Sequence, residues 1–107
     1  IKGKIKKISD NKNHILPNVG WFETSIKSDQ TFGYLKKFDK QKFYYVHSYI
    51  AEPIDKKNQI ASSLYNGNSF CAMTIKNSNI IGTQFHPEKS HSAGLQLLKN
   101  FLQWDGS

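Results

Sequence analysis

The run IIGTQFHPEKS, residues 80–90, decides how the chain is read. Ile80–Phe85 is apolar on both parities, which predicts a central strand covered on both faces. The run ends on His86-Pro87-Glu88. In an extended segment, residues two apart project to the same side, so Glu88 can reach one ring nitrogen of His86. That contact fixes the tautomer, stabilises the imidazolium and leaves the other nitrogen as a general base. Pro87 sets its own φ and biases His86 toward an extended conformation. A strand that delivers such a pair at its C-terminal end puts it where α/β proteins place ligands. Spacing alone leaves a second reading: a strand-end histidine beside a carboxylate favoured by the next helix dipole. The dyad reading requires the two side chains within hydrogen-bond reach at the C-terminal edge of a central strand.

The pattern outward from this run is strand-rich. Downstream, Ser90 or Ser92 is a candidate cap for a helix. Leu95, Leu98 and Leu102 fall at helical spacing on its apolar face, and Leu97 and Phe101 widen the stripe. Asp105-Gly106 ends it. Upstream, residues 59–86 hold three strand-like runs. Asn66-Gly67 in YNGNS predicts a hairpin turn, because both residues tolerate positive φ. KNSN, residues 76–79, predicts a second turn. KFYYVHSYI, residues 42–50, predicts one strand with both faces largely covered. Residues 4–8 predict a strand and SDNKNH (9–14) a polar loop. ILPNVGW (15–21) predicts a tight packed turn. Residues 28–38 predict a short irregular or helical segment, weakened by Gly33. A central strand apolar on both faces needs covering layers. The chain offers one clear helix, so it is expected to be half of an α/β domain. An apolar face is then expected to stand exposed where the other half packs.

Composition narrows the function classes. The 107 residues fit one small domain or part of a larger one. A hydrophobic fraction of 37% argues for a folded core over disorder. No apolar run approaches the roughly 20 residues that span a membrane. The chain opens on Ile1 without an apolar signal region, so no signal peptide is expected and upstream sequence is. The formal charge of +7 raises a nucleic-acid reading. All 15 basic residues are lysine, however, and they are scattered. Arginine, the preferred residue for bidentate recognition, is absent. A solvated lysine surface is the favoured reading, and no nucleic-acid partner is expected.

The single cysteine, Cys71, excludes an internal disulfide and fits a reducing cytoplasm. It sits mid-strand in SFCAMTI. Reactive cysteines prefer helix N-termini or sharp elbows with small neighbours. No G-x-S-x-G or G-x-C-x-G elbow occurs in the chain. Cys71 therefore reads as a small core residue, and a nucleophile for His86 is expected outside these residues. A metal site of His86, Glu88 and His91 matches no standard zinc spacing, so no metal and no cofactor is expected. His47 in YYVHSYI reads by itself as a satisfied structural histidine. Trp21 beside Gly20 is either core packing or an exposed interface aromatic.

Four segments carry a resemblance: PNVGW at 17–21, YVHSY at 45–49, GTQFHPEKS at 82–90 and GLQLLKNF at 94–101. In this order they resemble the C-terminal half of class I (triad) glutamine amidotransferases, most closely the glutaminase subunits of imidazole glycerol phosphate synthase. The resemblance covers nearly the whole chain. It implies an α/β, flavodoxin-like domain of which residues 1–107 are the C-terminal part, strand-rich with a C-terminal helix. It also implies hydrolysis of glutamine to glutamate and ammonia by a Cys-His-Glu triad. His86 and Glu88 match the histidine and glutamate. The cysteine and the oxyanion glycines belong to an N-terminal half that is absent here, so the chain alone is expected to be inactive. The backbone of His47, Ser48 and Tyr49 is implied in glutamine binding. Trp21 and Lys89 are implied to face a (β/α)8-barrel synthase subunit that receives ammonia for histidine biosynthesis. Phe22 stands where the family often has a polar residue. That departure leaves open a relative feeding ammonia to a sugar-modifying enzyme of surface-polysaccharide synthesis. A non-catalytic basic binding module is the competing reading from another class.

Overall fold

The computed structural model describes residues 1–8, 16–27, 33–77 and 79–104. The elements are β1 (Gly3–Lys7), β2 (Asn18–Ile26), α1 (Gly33–Lys36), β3 (Gln41–His47), β4 (Tyr49–Pro53), β5 (Gln59–Tyr65), β6 (Asn68–Lys76), β7 (Ile80–Thr83) and α2 (His91–Leu102). Single 3₁₀ turns cover Lys56–Asn58 and Pro87–Lys89. β1 and β4 form a two-stranded ribbon, and the other strands form a sheet in the order β3-β2-β5-β6-β7. All pairings among the described residues are antiparallel. The expected strand-rich α/β chain with a C-terminal helix is what forms.

The local signals with short reach hold. Tyr65 pairs with Asn68 across Asn66-Gly67, whose φ angles of 50° and 81° are the left-handed values a two-residue hairpin demands. Asn77, at φ 54°, turns β6 toward β7, and the Asn79 amide donates to Lys76 O. Residues 4–8 lie in β1 and its end. The polar loop expected at 9–14, residues 28–32 of the irregular segment and Asp105-Gly106 lie outside the described residues. Gly33–Lys36 is a single helical turn that sends Leu35, and Phe38 beyond it, into the core.

Four expectations are overturned. ILPNVGW is not a tight turn: Asn18 begins a nine-residue strand. Gly20, at φ +145°, keeps the ladder running opposite Tyr45, and an added Cβ there would press on the Phe22 ring at 3.2 Å. KFYYVHSYI is two strands, not one. It breaks at Ser48, and β3 and β4 join different sheets. Nor is it covered on both faces: Phe43, Tyr45 and His47 point inward while Lys42 and Val46 are exposed. Ile80–Phe85 is not central either. β7 stops at Thr83 and lies at the sheet edge with only β6 beside it among the described residues. Its apolar richness comes from Ile81, packed on the core, and from Phe85, which is buried beyond the strand.

The fourth correction concerns α2. Leu95, Leu98 and Leu102 do not face the sheet; Leu95 is 61% exposed and Leu102 82%. Gly94 and Leu97 are buried instead, with Ala93 packed against the core beside them. The three leucines stand exposed on the outer side of the helix.

The segment leaving β7 draws the sheet around itself. The Gln84 amide donates to Ala72 O on β6, and the His86 amide donates to Tyr44 O on β3. Phe85, between them, stacks on Phe43 at 4.3 Å and meets Tyr45 edge-on at 5.7 Å. One buried ring thus ties two otherwise distant strands and delivers His86 to the end of the core. Aromatic pairs at such geometries add about 0.5–1.5 kcal/mol each beyond burial.

Candidate functional site

His86 emerges from that closure and enters the 3₁₀ turn Pro87–Lys89. Its Nδ1 lies 2.9 Å from Glu88 Oε1. A carboxylate only accepts, so Nδ1 carries the proton. Nε2 of the neutral ring then holds a lone pair, the state a general base needs. The side chains are 39% and 54% exposed, so the dyad faces outward. The pair expected from the sequence is therefore formed, although at a sheet edge and not on a central strand.

The turn is held from beneath by Ser90. It occupies the N-cap position of α2 but makes no side-chain capping bond. Its hydroxyl donates to His86 O at 2.6 Å and accepts from the Tyr44 amide at 2.9 Å. One buried hydroxyl thereby links the dyad turn to β3. Gly94 completes the support. A Cβ on it would collide with Pro87 O, so only glycine lets α2 pack this closely against the turn. The Lys89 amide donates to His86 O, and its side chain is exposed.

Trp21 stands beside this turn and is 40% exposed. Its indole stacks on His91 with centroids 4.9 Å apart and planes 11° from parallel. Tyr44 meets it edge-on at 5.8 Å. His91 is thus engaged with Trp21. Among the described residues, no group of three His, Cys, Asp or Glu side chains is arranged to hold a metal ion.

The HSY segment is built separately, at the break between β3 and β4. His47 is buried, and both of its ring nitrogens are engaged. Nδ1 lies 3.1 Å from Tyr49 O and Nε2 lies 3.0 Å from Asn18 Nδ2. Burial pushes its pKa below the ordinary value. The Tyr49 carbonyl opposes this, and His86 adds to it whenever its own ring is protonated. The Ile8 amide donates to Ser48 O at 2.8 Å. Tyr49 is largely exposed, and its backbone pairs with Lys7 and faces the His47 ring through its carbonyl.

Cys71 lies elsewhere, in the buried middle of β6. Its thiol donates to Met73 O at 3.6 Å, and burial raises its pKa. Such a thiol is a poor nucleophile. The structure adds Gly94, Tyr44 and Asn18 to the residues that sequence reading singled out, and gives Ser90, expected as a helix cap, a bridging role between the dyad turn and β3. A glycine four residues into a helix and an asparagine opening a half-buried strand were the available signals.

Comparison with known proteins gives the family of the chain. The profile of the glutamine amidotransferase class-I family matches residues 7–104. The chain is 45% identical over 105 residues to the imidazole glycerol phosphate synthase subunit HisH of Leptospira interrogans, covering 94% of this chain and 50% of that protein. It is 41% identical to the HisH subunit of Leptospira borgpetersenii over the same shares. The HisH subunit of Pelagibacter ubique is 42% identical over 104 residues, with 95% of this chain and 48% of that protein covered. The chain spans about half the length of the curated relatives it matches. A profile match over most of the chain, with an ordered His86–Glu88 pair inside it, establishes that this chain belongs to the class-I glutamine amidotransferase family.

Proposed function

We propose that residues 1–107 are the C-terminal, histidine- and glutamate-bearing part of a glutaminase domain that hydrolyses glutamine to glutamate and ammonia. The observation that carries this is the 2.9 Å His86–Glu88 contact, with Nε2 left to act. In this reading a cysteine outside these residues is the nucleophile. Nε2 of His86 removes the thiol proton, and the thiolate attacks the glutamine carboxamide carbon. The imidazolium, held by Glu88, returns the proton to the nitrogen as the C–N bond breaks and ammonia leaves. His86 then takes a proton from water, which attacks the thioester and releases glutamate and the thiol. The backbone of His47, Ser48 and Tyr49 binds glutamine, and it is already held by Ile8 and the His47 ring. No cofactor enters this chemistry.

The names of the relatives support imidazole glycerol phosphate synthesis, in histidine biosynthesis, as the use of the ammonia. The partner in this reading is a synthase subunit of (β/α)8-barrel type that docks on Trp21 and Lys89 beside the dyad. Phe22 alternates with Trp21 along β2 and packs on the core against Tyr45 at 6.1 Å. The departure from a polar residue there fits this packing, which supports the synthase reading over a sugar-modifying partner. We place the protein in the cytoplasm, where an unpaired thiol such as Cys71 stays reduced. No helix among the described residues is long and apolar enough to cross a membrane.

The test is glutamate release by the full-length protein with its synthase partner, in wild type and His86→Ala. Loss of activity in the variant supports the assignment. Undiminished activity sinks it. Residues 1–107 alone are expected to release no glutamate.

A further inference from the structure

We propose that Asn18 is a positioning residue for the glutamine site: its amide holds the His47 ring, and through that ring the backbone at Ser48 and Tyr49. The inference rests on the glutaminase reading for its kinetic consequence, but its geometry stands alone.

Asn18 and His47 are register partners across β2 and β3, 29 residues apart in sequence. Asn18 is 1% exposed and His47 8%. The hydrogen-bond assignment follows by elimination. Tyr49 O can only accept, so His47 Nδ1 carries the ring proton. Nε2 is then the acceptor, and the donor facing it is Asn18 Nδ2. The ring is thus fixed at both nitrogens, and one of the two bonds ends on the backbone that the glutamine reading uses. Ile8 fixes the neighbouring carbonyl of Ser48 from the other side.

The arrangement is costly as a purely structural device. Asn18 Oδ1 is buried and has no hydrogen-bond partner among the described residues. A buried carbonyl without a partner is destabilising, and an apolar pair at this cross-strand position would avoid that cost. Polar groups held against such a cost concentrate where they orient working parts. Beside the ring, the Phe70 ring lies at 5.0 Å and the Tyr45 ring at 5.7 Å.

The test has two arms in the full-length protein with its synthase partner. Imidazole ¹⁵N shifts read the tautomer of His47. In wild type, the neutral Nδ1–H form is expected at neutral pH; an Nε2–H form overturns the assignment. Asn18→Asp keeps the shape but sets a carboxylate against Nε2. The ring must then place a proton on Nε2, by a second protonation or by giving up the Tyr49 bond. An unchanged Nδ1–H signal overturns the proposal. In the kinetic arm, Asn18→Asp and Asn18→Ala raise KM for glutamine about tenfold and change kcat less than about twofold, the pattern of lost substrate binding. An unchanged KM in an active protein overturns the positioning role and leaves the glutaminase reading intact. An inactive wild type overturns the glutaminase reading and the positioning role with it. The wild-type tautomer needs no variant to fold.

Discussion

The molecule holds two histidines at the ends of neighbouring structures, and they are built in opposite ways. His47 is buried, with each ring nitrogen in a hydrogen bond. His86 is partly exposed, with Nδ1 on Glu88 and Nε2 free of the dyad contact. A ring with both nitrogens committed is a strut, and a ring with one nitrogen committed can move a proton. The surroundings enforce the difference. His47 sits among Tyr45, Phe70 and Asn18, so charging it is disfavoured. His86 sits on a turn tied to β3 through its amide and the Ser90 hydroxyl and backed by Gly94, with its side chain partly exposed.

The sharpest way to break the comparison is to exchange the losses. In the full-length protein, His86→Ala should lower kcat/KM for glutamine by about a thousandfold or more, within the range of a lost general base. His47→Gln should act mainly on KM. If the two variants have the same kinetic signature, the division between base and strut fails.

The second prediction attacks the support of His86 and not its chemistry. Alanine at Gly94 gains about 1 kcal/mol of helix propensity. It also drives a Cβ into Pro87 O, which is backbone and cannot swing away. Overpacking of this kind costs about 1–3 kcal/mol, so the collision should win. Denaturant unfolding should show Gly94→Ala less stable than wild type, with activity reduced as the dyad turn shifts. A more stable Gly94→Ala protein would show that α2 does not clamp the turn.

Glu88→Gln is milder. Its carbonyl can still accept from Nδ1 but no longer stabilises the imidazolium. A drop in kcat of about tenfold to a hundredfold is expected, readable by steady-state glutamate release. An unchanged kcat would reduce Glu88 to a helix-end carboxylate.

The smallest effect is a pH slope from the buried ring. Burial holds the His47 pKa below its ordinary 6.5. On acidification the unfolded chain takes up this proton first. Between the two values the unfolded state binds more protons, so stability falls as pH drops below about 6.5 and is fully present above it. Melting temperatures across that interval should decline in wild type and decline less in His47→Gln. Equal slopes would mean that His47 titrates alike in both states.

What could be read in the sequence is what depends on near neighbours. The Asn66-Gly67 hairpin follows from two residues that accept positive φ. The His86–Glu88 contact follows from two residues at i and i+2 around a proline. The core role of Cys71 follows from its place inside an apolar run. Family membership lies in four short motifs.

The rest was settled by contacts across the fold. α2 carries two apolar stripes one residue apart. Gly94, Leu97 and Phe101 share the spacing of Leu95, Leu98 and Leu102, so periodicity cannot choose between them. The choice came from the close approach of Gly94 to Pro87 O, which turns its own side of the helix inward. The two-sided apolar pattern of Ile80–Phe85 could not reveal an edge strand, because Phe85 spends its ring on a closure with β3. Ser90 Oγ reaches a backbone amide 46 residues away, and Asn18 reaches His47 across 29. Spacing determined that His86 and Glu88 meet. Only the packed structure decided which histidine has both ring nitrogens in hydrogen bonds, because burial and partners drawn from distant strands set that difference.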